Sequence, residues 1–96
     1  MILDEGILVQ MKAEDFEKYK KRKLKIVTKK EMEIAGKKGN EFQGIIFVLY
    51  LAKHSPNLPL FIGFLDESIS QNLNPHYLND LIVRIDIYNI LRIEID

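Results

Sequence analysis

The side chains that could perform acid–base chemistry are few and widely spaced. The sequence contains two histidines, His54 and His76, and two imidazoles held together can act as the acid and the base that cleave a phosphodiester. Both lie in polar segments that predict turns or a helix start, and nothing in their spacing brings them together. Asp66, at the end of a predicted strand, is the carboxylate best placed to join them. We therefore expect a non-catalytic protein, with a phosphodiesterase or nuclease using His54, His76 or Asp66 as the alternative.

A metal or cofactor site is not predicted. The sequence has no cysteine, which excludes thiolate ligands, disulfides and a cysteine nucleophile. A metal-dependent nuclease needs several carboxylates that converge at strand ends, and Asp66 with Asp4 is the best pair on offer. A carboxylate that follows a strand more often caps the next helix. Residues 36–41, GKKGNE, lack the spacing of a phosphate-binding loop and are interpreted as a loop without a ligand.

A basic segment is the most unusual feature of the sequence. Residues 18–30, KYKKRKLKIVTKK, carry eight Lys or Arg side chains in thirteen positions, although the formal net charge of the chain is zero. The charges are segregated, because residues 12–38 carry a net +6 and the remainder a net −6. Clustered lysines and arginines displace counterions from phosphates and attract acidic protein surfaces. The segment therefore predicts a surface for an acidic partner, either protein or nucleic acid.

The residues expected to form this surface follow from helical periodicity. If residues 13–23 are a helix, its basic side chains point away from Phe16, and Tyr19 adds a ring on which a base could stack. The predicted binding residues are Lys18, Tyr19, Lys21, Arg22 and Lys25. The alternative is that these residues are the solvated face of an ordinary helix, because lysine outnumbers arginine and lacks the forked contacts of specific recognition.

The last fourteen residues, VRIDIYNILRIEID, alternate apolar and polar side chains, as a β-strand does. A straight strand over residues 83–95 would be about 43 Å long, against a diameter of about 32 Å for a domain of this size. The strand must therefore bend or bulge near Asn89, form a hairpin there, or pair with another copy of the chain. We expect a homodimer. The predicted self-association residues are Tyr88, Ile90, Leu91 and Ile93.

The elements that would position these residues predict a single α+β domain over residues 1–96, with a mostly antiparallel sheet of about five strands and two or three helices. A helix over 28–36 is favoured over a hairpin through Lys29 and Lys30, because Thr28 and Glu31 have the spacing of a capping box. The predicted strands are 6–11, 24–28, 42–52, 58–65 and the tail. The predicted helices are 13–23, 28–36 and one from Pro75 to about Ile82, with a loop over 37–41.

Composition indicates an intracellular globular protein. The sequence is 47% hydrophobic and 29% charged, as in folded domains. The most apolar window, residues 44–52, is too short to cross a bilayer, and residues 1–11 lack the features of a secretory signal. We therefore expect a soluble, cytoplasmic protein without a membrane partner. Its predicted role is a small interaction or regulatory protein, and a structural subunit of a larger assembly is a further alternative.

Overall fold

The computed structural model describes residues 1–11, 13–50, 61–70 and 81–96. Within these ranges six strands form one sheet in which every pair of neighbours is antiparallel, and the order is β1-β6-β2-β3-β4-β5. The strands are β1 (Ile2–Asp4), β2 (Lys23–Ile34), β3 (Lys37–Tyr50), β4 (Phe61–Asp66), β5 (Val83–Asp86) and β6 (Ile90–Ile95). The helices are α1 (Glu5–Leu8), α2 (Ala13–Glu17) and α3 (Glu67–Ser70), and Ile87–Asn89 form a 3₁₀ turn.

The sheet curls into a half-barrel around one apolar core. β5 lies at one edge of the sheet and β6 lies next to the other edge, yet a three-residue 3₁₀ turn joins them. Only a strongly curled sheet brings those two places within reach of so short a connection. The inner face is lined by fully buried side chains from β2, β4, β5 and β6. These are Ile26, Ile62, Phe64, Ile85, Ile90 and Ile93.

The prediction of an α+β domain with about five strands and two or three helices is wrong, because six strands dominate the described residues and each helix has only four or five residues. The helix expected over 13–23 ends at Glu17. The helix expected over 28–36 is instead the second half of β2, and the loop expected over 37–41 is the start of β3. Residues 28–34 are extended because residues 32–34 pair with β3 and Thr28 pairs with Ile90 of β6, and residues 35 and 36 form the turn that follows. Sheet pairing thus overrides a local capping signal.

The N-terminal segment also differs from its prediction. The strand expected over 6–11 is replaced by a shorter strand, β1, and by α1. The Asp4 side chain ends the strand and begins the helix, since its Oδ1 accepts a hydrogen bond from the Ile7 nitrogen at 3.0 Å. This is an N-cap, which satisfies one of the free N–H groups of the first turn. Leu8 is then buried against the core.

Three predicted strands are confirmed in the described part of the chain, and the first of them, residues 24–28, lies in β2. The β-branched and aromatic run from residue 42 lies in β3, and residues 61–65 lie in β4, which pairs with β3 antiparallel. Residues 51–60 and 71–80 lie outside the described ranges, so parts of the strands predicted over 42–52 and 58–65 and most of the helix predicted from Pro75 do too. Among the described residues, no helix is long and apolar enough to cross a membrane.

The tail bends, which was one of the three expected outcomes. Asp86 ends β5, and its Oδ1 accepts a hydrogen bond from the Tyr88 nitrogen at 2.8 Å to begin the 3₁₀ turn. Val27 of β2 then pairs with Arg92, whereas Thr28 pairs with Ile90. Leu91 is therefore the extra residue of a β-bulge. The bulge changes the phase of the alternation, so that Ile90 and Ile93 both face the core.

Side chains brace the adjoining irregular part of β2. Pairing between β2 and β3 shifts register between Val27 and Met32. The Asn89 Oδ1 accepts a hydrogen bond from the Lys30 nitrogen at 3.0 Å, and the Asn40 Nδ2 donates to the Thr28 carbonyl oxygen at 3.2 Å. Main-chain groups that lose a ladder partner at the shift are thereby satisfied. Asn89, expected at the bend of the tail, is placed there by this contact.

The turn between β2 and β3 offers a test of the fold. Ala35 and Gly36 both have positive φ, 53° and 78°, which is the conformation of a type I′ hairpin turn. Asparagine tolerates this region better than alanine. We expect Ala35→Asn to raise the free energy of unfolding by about 0.5 kcal/mol and Gly36→Ala to lower it by about 1 kcal/mol. Urea denaturation of the two variants checks this, and a gain from Gly36→Ala would contradict the turn type.

Candidate functional site

The segment from residue 18 to residue 23, called here the basic turn, lies between α2 and β2. After α2 the chain continues in tight turns, with Tyr19 donating from its nitrogen to the Phe16 carbonyl oxygen at 3.0 Å and Arg22 donating to that of Tyr19 at 3.2 Å. Phe16 and Tyr19 are buried, so they hold the segment against the core. The basic side chains between and after them are therefore exposed.

Lys21 has an unusual backbone conformation in this turn. Its φ is 63°, in the left-handed region that costs a residue with a Cβ about 1 kcal/mol or more. The conformation is fixed by a hydrogen bond from the Lys21 nitrogen to the Ile46 carbonyl oxygen of β3, at 2.9 Å. The turn is thus attached to the central part of the sheet, and the Lys21 side chain is presented to solvent.

The charges of the turn are only partly compensated. Lys20 lies 3.4 Å from the Glu17 carboxylate, and the Arg22 guanidinium donates to the main-chain oxygen of Asp96 at 2.5 Å. No salt bridge within the described residues involves Lys18, Lys21 or Lys23. Three exposed ammonium groups therefore remain without a carboxylate partner in that part of the chain.

Four of the five predicted binding residues lie in this turn, and the fifth, Lys25, lies in β2. Lys18, Lys21 and Arg22 are exposed within it. Lys25 lies on the outer face of β2, 3.5 Å from Glu41 and 3.8 Å from Glu94, so its charge is balanced by two carboxylates.

Tyr19 is 4% exposed, and its hydroxyl lies 3.2 Å from the Met1 sulfur. The expected stacking contact is therefore corrected, because the ring is buried. The Lys18 ammonium lies 5.1 Å from the centre of that ring, which orients the lysine at the surface.

The rest of the basic segment does not extend this surface. Lys29 and Lys30 are in the middle of β2, and Lys29 pairs with Glu5. Lys23, which the helical wheel left out, is exposed at the start of β2. The apolar–polar alternation of a strand would have predicted that Lys23 is exposed, because Lys23 and Lys25 alternate with the buried Leu24. The candidate surface is thus shorter than residues 18–30 and is centred on the turn.

The predicted self-association residues divide into two pairs. Ile90 and Ile93 are 0% exposed and belong to the core of this chain. Tyr88 and Leu91 are 61% and 39% exposed. The first pair is therefore corrected, since the bulge at Leu91 turns both isoleucines inward.

Two adjoining clefts lie on the outer face of β2 and β3. Their volumes are about 290 and 260 Å³, and both are lined by Lys25, Gln43 and Glu67. The first also contains Lys23, and carboxylates outnumber lysines in both linings. Lysines here alternate with carboxylates, as in a surface ion-pair network. The clefts do not extend the positive surface of the basic turn.

Asp66, the carboxylate of the enzymatic alternative, is 1% exposed, and its Oδ2 is engaged by Ser68 and Lys37. Its Oδ2 accepts hydrogen bonds from the Ser68 nitrogen at 3.0 Å, from the Ser68 hydroxyl, and from the Lys37 ammonium at 3.5 Å. These contacts make Asp66 the cap of α3. His54 and His76 lie outside the described residues. Within the described residues, no three metal-binding side chains are grouped.

Comparisons with protein-family models, with curated proteins and with solved structures found no match to this chain.

Proposed function

We propose that this chain is a small non-catalytic interaction protein that binds an acidic partner through the basic turn. The observation that carries the proposal is the group of three exposed lysines, Lys18, Lys21 and Lys23, none of which forms a salt bridge with a described residue, although Lys23 borders the cleft lined by Glu67, Glu94 and Asp96. They occur within six residues and beside Arg22. Their backbone is held by the buried Phe16 and Tyr19.

The chemistry of these side chains determines the type of recognition. Lysine ammonium groups act as point charges, whereas arginine provides the planar fork that reads guanine or holds phosphate with two bonds. Arg22, the arginine of the turn, is engaged by Asp96. The buried Tyr19 ring cannot stack on a base. Binding is therefore expected to follow the charge density of the partner, whether nucleic acid or acidic protein, rather than its sequence.

The backbone conformation of Lys21 is a second observation that supports the proposal. At a φ of 63°, glycine or asparagine would be the more stable choice. The fold thus keeps a long cationic side chain at a place where a small residue would stabilise the turn. A cost to stability at an exposed position is typical of residues that serve binding.

Replacing the three free lysines of the turn tests the proposal. We expect Lys18→Ser/Lys21→Ser/Lys23→Ser to weaken binding to a labelled oligonucleotide or a labelled polyglutamate at least tenfold at low salt, as measured by fluorescence anisotropy. The wild-type affinity should fall with salt with a logarithmic slope of about −2 to −3, because about one counterion is released for each contact. The slope should approach zero in the variant.

A control variant distinguishes loss of the lysines of the turn from a general loss of positive charge. Lys29→Ser/Lys30→Ser/Lys38→Ser removes the same charge from exposed positions outside the turn, and it should bind nearly as well as the wild type. Lys21→Gly should weaken binding while raising the urea midpoint. Equal losses in both triple variants, or wild-type binding without a salt slope, would contradict a specific role for the turn.

A cytoplasmic location and self-association remain part of the proposed function. The location is supported by the lack of cysteine in the sequence, which is common in reducing compartments. Self-association is supported by the exposed Tyr88 and Leu91 near the start of β6.

A further inference from the structure

The large exposed hydrophobic side chains of the described residues come from two short segments. One segment is the N-terminal part of the chain, and the other contains the 3₁₀ turn and the bulge of β6. The residues are Met1, Ile2, Ile7, Val9, Tyr88 and Leu91. Scattered apolar side chains on a surface are ordinary, but a contiguous group marks a contact site.

The fold makes these two segments neighbours. β1 pairs with β6 in a register that places Asp4 opposite Arg92, so the next residues along, Glu5 and Leu91, are adjacent. α1, which contains Ile7 and ends just before Val9, packs against both β1 and β6. We call Ile2, Ile7, Val9, Tyr88 and Leu91 the apolar edge.

The apolar edge includes a strand edge. Among the described residues, β1 is the outermost strand on its side of the sheet. Met1 and Ile95 exchange both main-chain hydrogen bonds, at 2.9 and 2.8 Å. In an antiparallel pair the hydrogen-bonded positions alternate. The N–H and C=O groups of Ile2 therefore point away from β6, toward the outside of the sheet.

We propose that a second copy of this chain covers the apolar edge, with the two β1 strands pairing antiparallel about a two-fold axis at Ile2. In such a pair each Ile2 donates its N–H to the carbonyl oxygen of the other, which makes the contact self-complementary. This deepens the self-association in the proposed function. It rests on the apolar edge and not on the basic turn.

The exposed area fits a dimer. A standard interface buries about 800 Å² on each partner, of which about 60%, or roughly 500 Å², is apolar. Side chains of this size with 39% to 61% of their surface exposed leave on the order of 100 Å² each, so the five together supply about 500 Å². The apolar edge alone thus accounts for the apolar part of one subunit's share.

The neighbouring charges favour a copy over an anionic membrane. Asp4 and Glu5 lie between Ile2 and Ile7, and Glu5 is paired with Lys29. An interfacial membrane-binding surface carries an excess of lysine and arginine beside its apolar residues. Here both signs are present, as a self-complementary contact requires.

The experiment is the mass of the full chain in solution, measured by sedimentation velocity over about a hundredfold range of concentration. The wild type should be a dimer. Ile2→Lys, which sets two ammonium groups opposite each other across the axis, should be a monomer with an unchanged far-UV circular dichroism spectrum, and Leu91→Lys should weaken the dimer at least tenfold. Gln43→Lys, which adds the same charge on the outer face of β3, should remain dimeric.

Three results would overturn the inference. These are a wild-type chain that stays monomeric at every concentration, a dimer that survives both Ile2→Lys and Leu91→Lys, and a monomer that instead binds vesicles of phosphatidylserine through the apolar edge. All variants keep Lys18, Lys21 and Lys23, so binding of the labelled oligonucleotide by the monomeric Ile2→Lys variant reports on the basic turn separately. Failure of one proposal is thereby distinguishable from failure of the other.

Discussion

Replacing Gly44 with alanine is expected to lower the free energy of unfolding by about 3 kcal/mol or more, a large part of the 5–15 kcal/mol typical of a small domain. Gly44 lies in β3 opposite Asp66 of β4. A Cβ added there would be 2.2 Å from the Leu65 carbonyl oxygen and 2.7 Å from the Phe64 Cζ. Because main-chain atoms of a central strand form one side of this contact, β3 and β4 would have to separate to relieve it.

A second glycine of the same strand provides the control. Gly39 has nothing within 4 Å of the position its Cβ would take, and its φ is not among the positive ones. Gly39→Ala should therefore change stability by less than about 0.5 kcal/mol. Urea denaturation of the two variants at equal concentration makes the comparison. Similar midpoints for Gly44→Ala and the wild type would show that β3 and β4 do not pack as closely as described.

Ile93→Lys is expected to unfold the protein or to cost at least about 4 kcal/mol, because it buries an ammonium group without a partner. Ile93 is fully buried among side chains of the inner face. The same substitution would separate subunits without unfolding them if Ile93 lay at an interface, as the sequence predicted. Far-UV circular dichroism and thermal unfolding of the variant therefore distinguish a core residue from an interface residue.

Leu91→Lys is the matched control on the same strand. Leu91 is the bulge residue, and its side chain reaches solvent. A lysine there should leave the spectrum of the folded chain unchanged and should alter the stability of the monomer by less than about 0.5 kcal/mol. If Ile93→Lys folds normally while Leu91→Lys does not, the inward phase of β6 is wrong and the bulge must lie elsewhere.

The sequence predicted the fold correctly where a hydrophobic pattern was compatible with only one type of secondary structure. The β-branched run at residue 42 predicted a buried strand, and the alternation from Val83 predicted a half-buried one. The length of the tail predicted a bend or bulge near Asn89, a hairpin there or pairing with another copy, and the 3₁₀ turn and the bulge are the first of these outcomes. These signals depend on burial, so they survive in the folded chain.

The failures occurred where a local signal competed with sheet pairing. Thr28 and Glu31 have capping-box spacing, but the Thr28 hydroxyl donates to the Lys30 carbonyl oxygen at 2.7 Å inside β2. The acidic and basic residues of 13–23 suit a long helix, yet the helix ends at Glu17 because the chain turns to enter β2. The sequence of either segment alone does not predict which distant strands pair with it.

Sheet pairing also changed which residues belong to the candidate site, compared with those predicted from the helical wheel. The helical wheel grouped Lys25 with the basic face and treated Tyr19 as a surface ring. In the fold Lys25 lies in a cross-strand ion-pair network, and Tyr19 anchors the turn that presents Lys18 and Lys21. Charge segregation along the chain therefore predicted the approximate place of the exposed lysines that form no salt bridge with a described residue. The pairing of strands decided which of its members remained free.

The position of β6 between β1 and β2 determines the order in which the sheet can assemble. β1 can join the sheet only after β6 (Ile90–Ile95) has formed, because β6 is its neighbour in the described sheet. The hydrogen bonds between the two strands join positions as far as 94 residues apart in the sequence. Contacts of such long range slow folding, because the chain loses much of its freedom before they form. Until then the edge of β2 is open to wrong partners. Assembly of the half-barrel is therefore expected to be slow, and an incomplete chain would tend to aggregate.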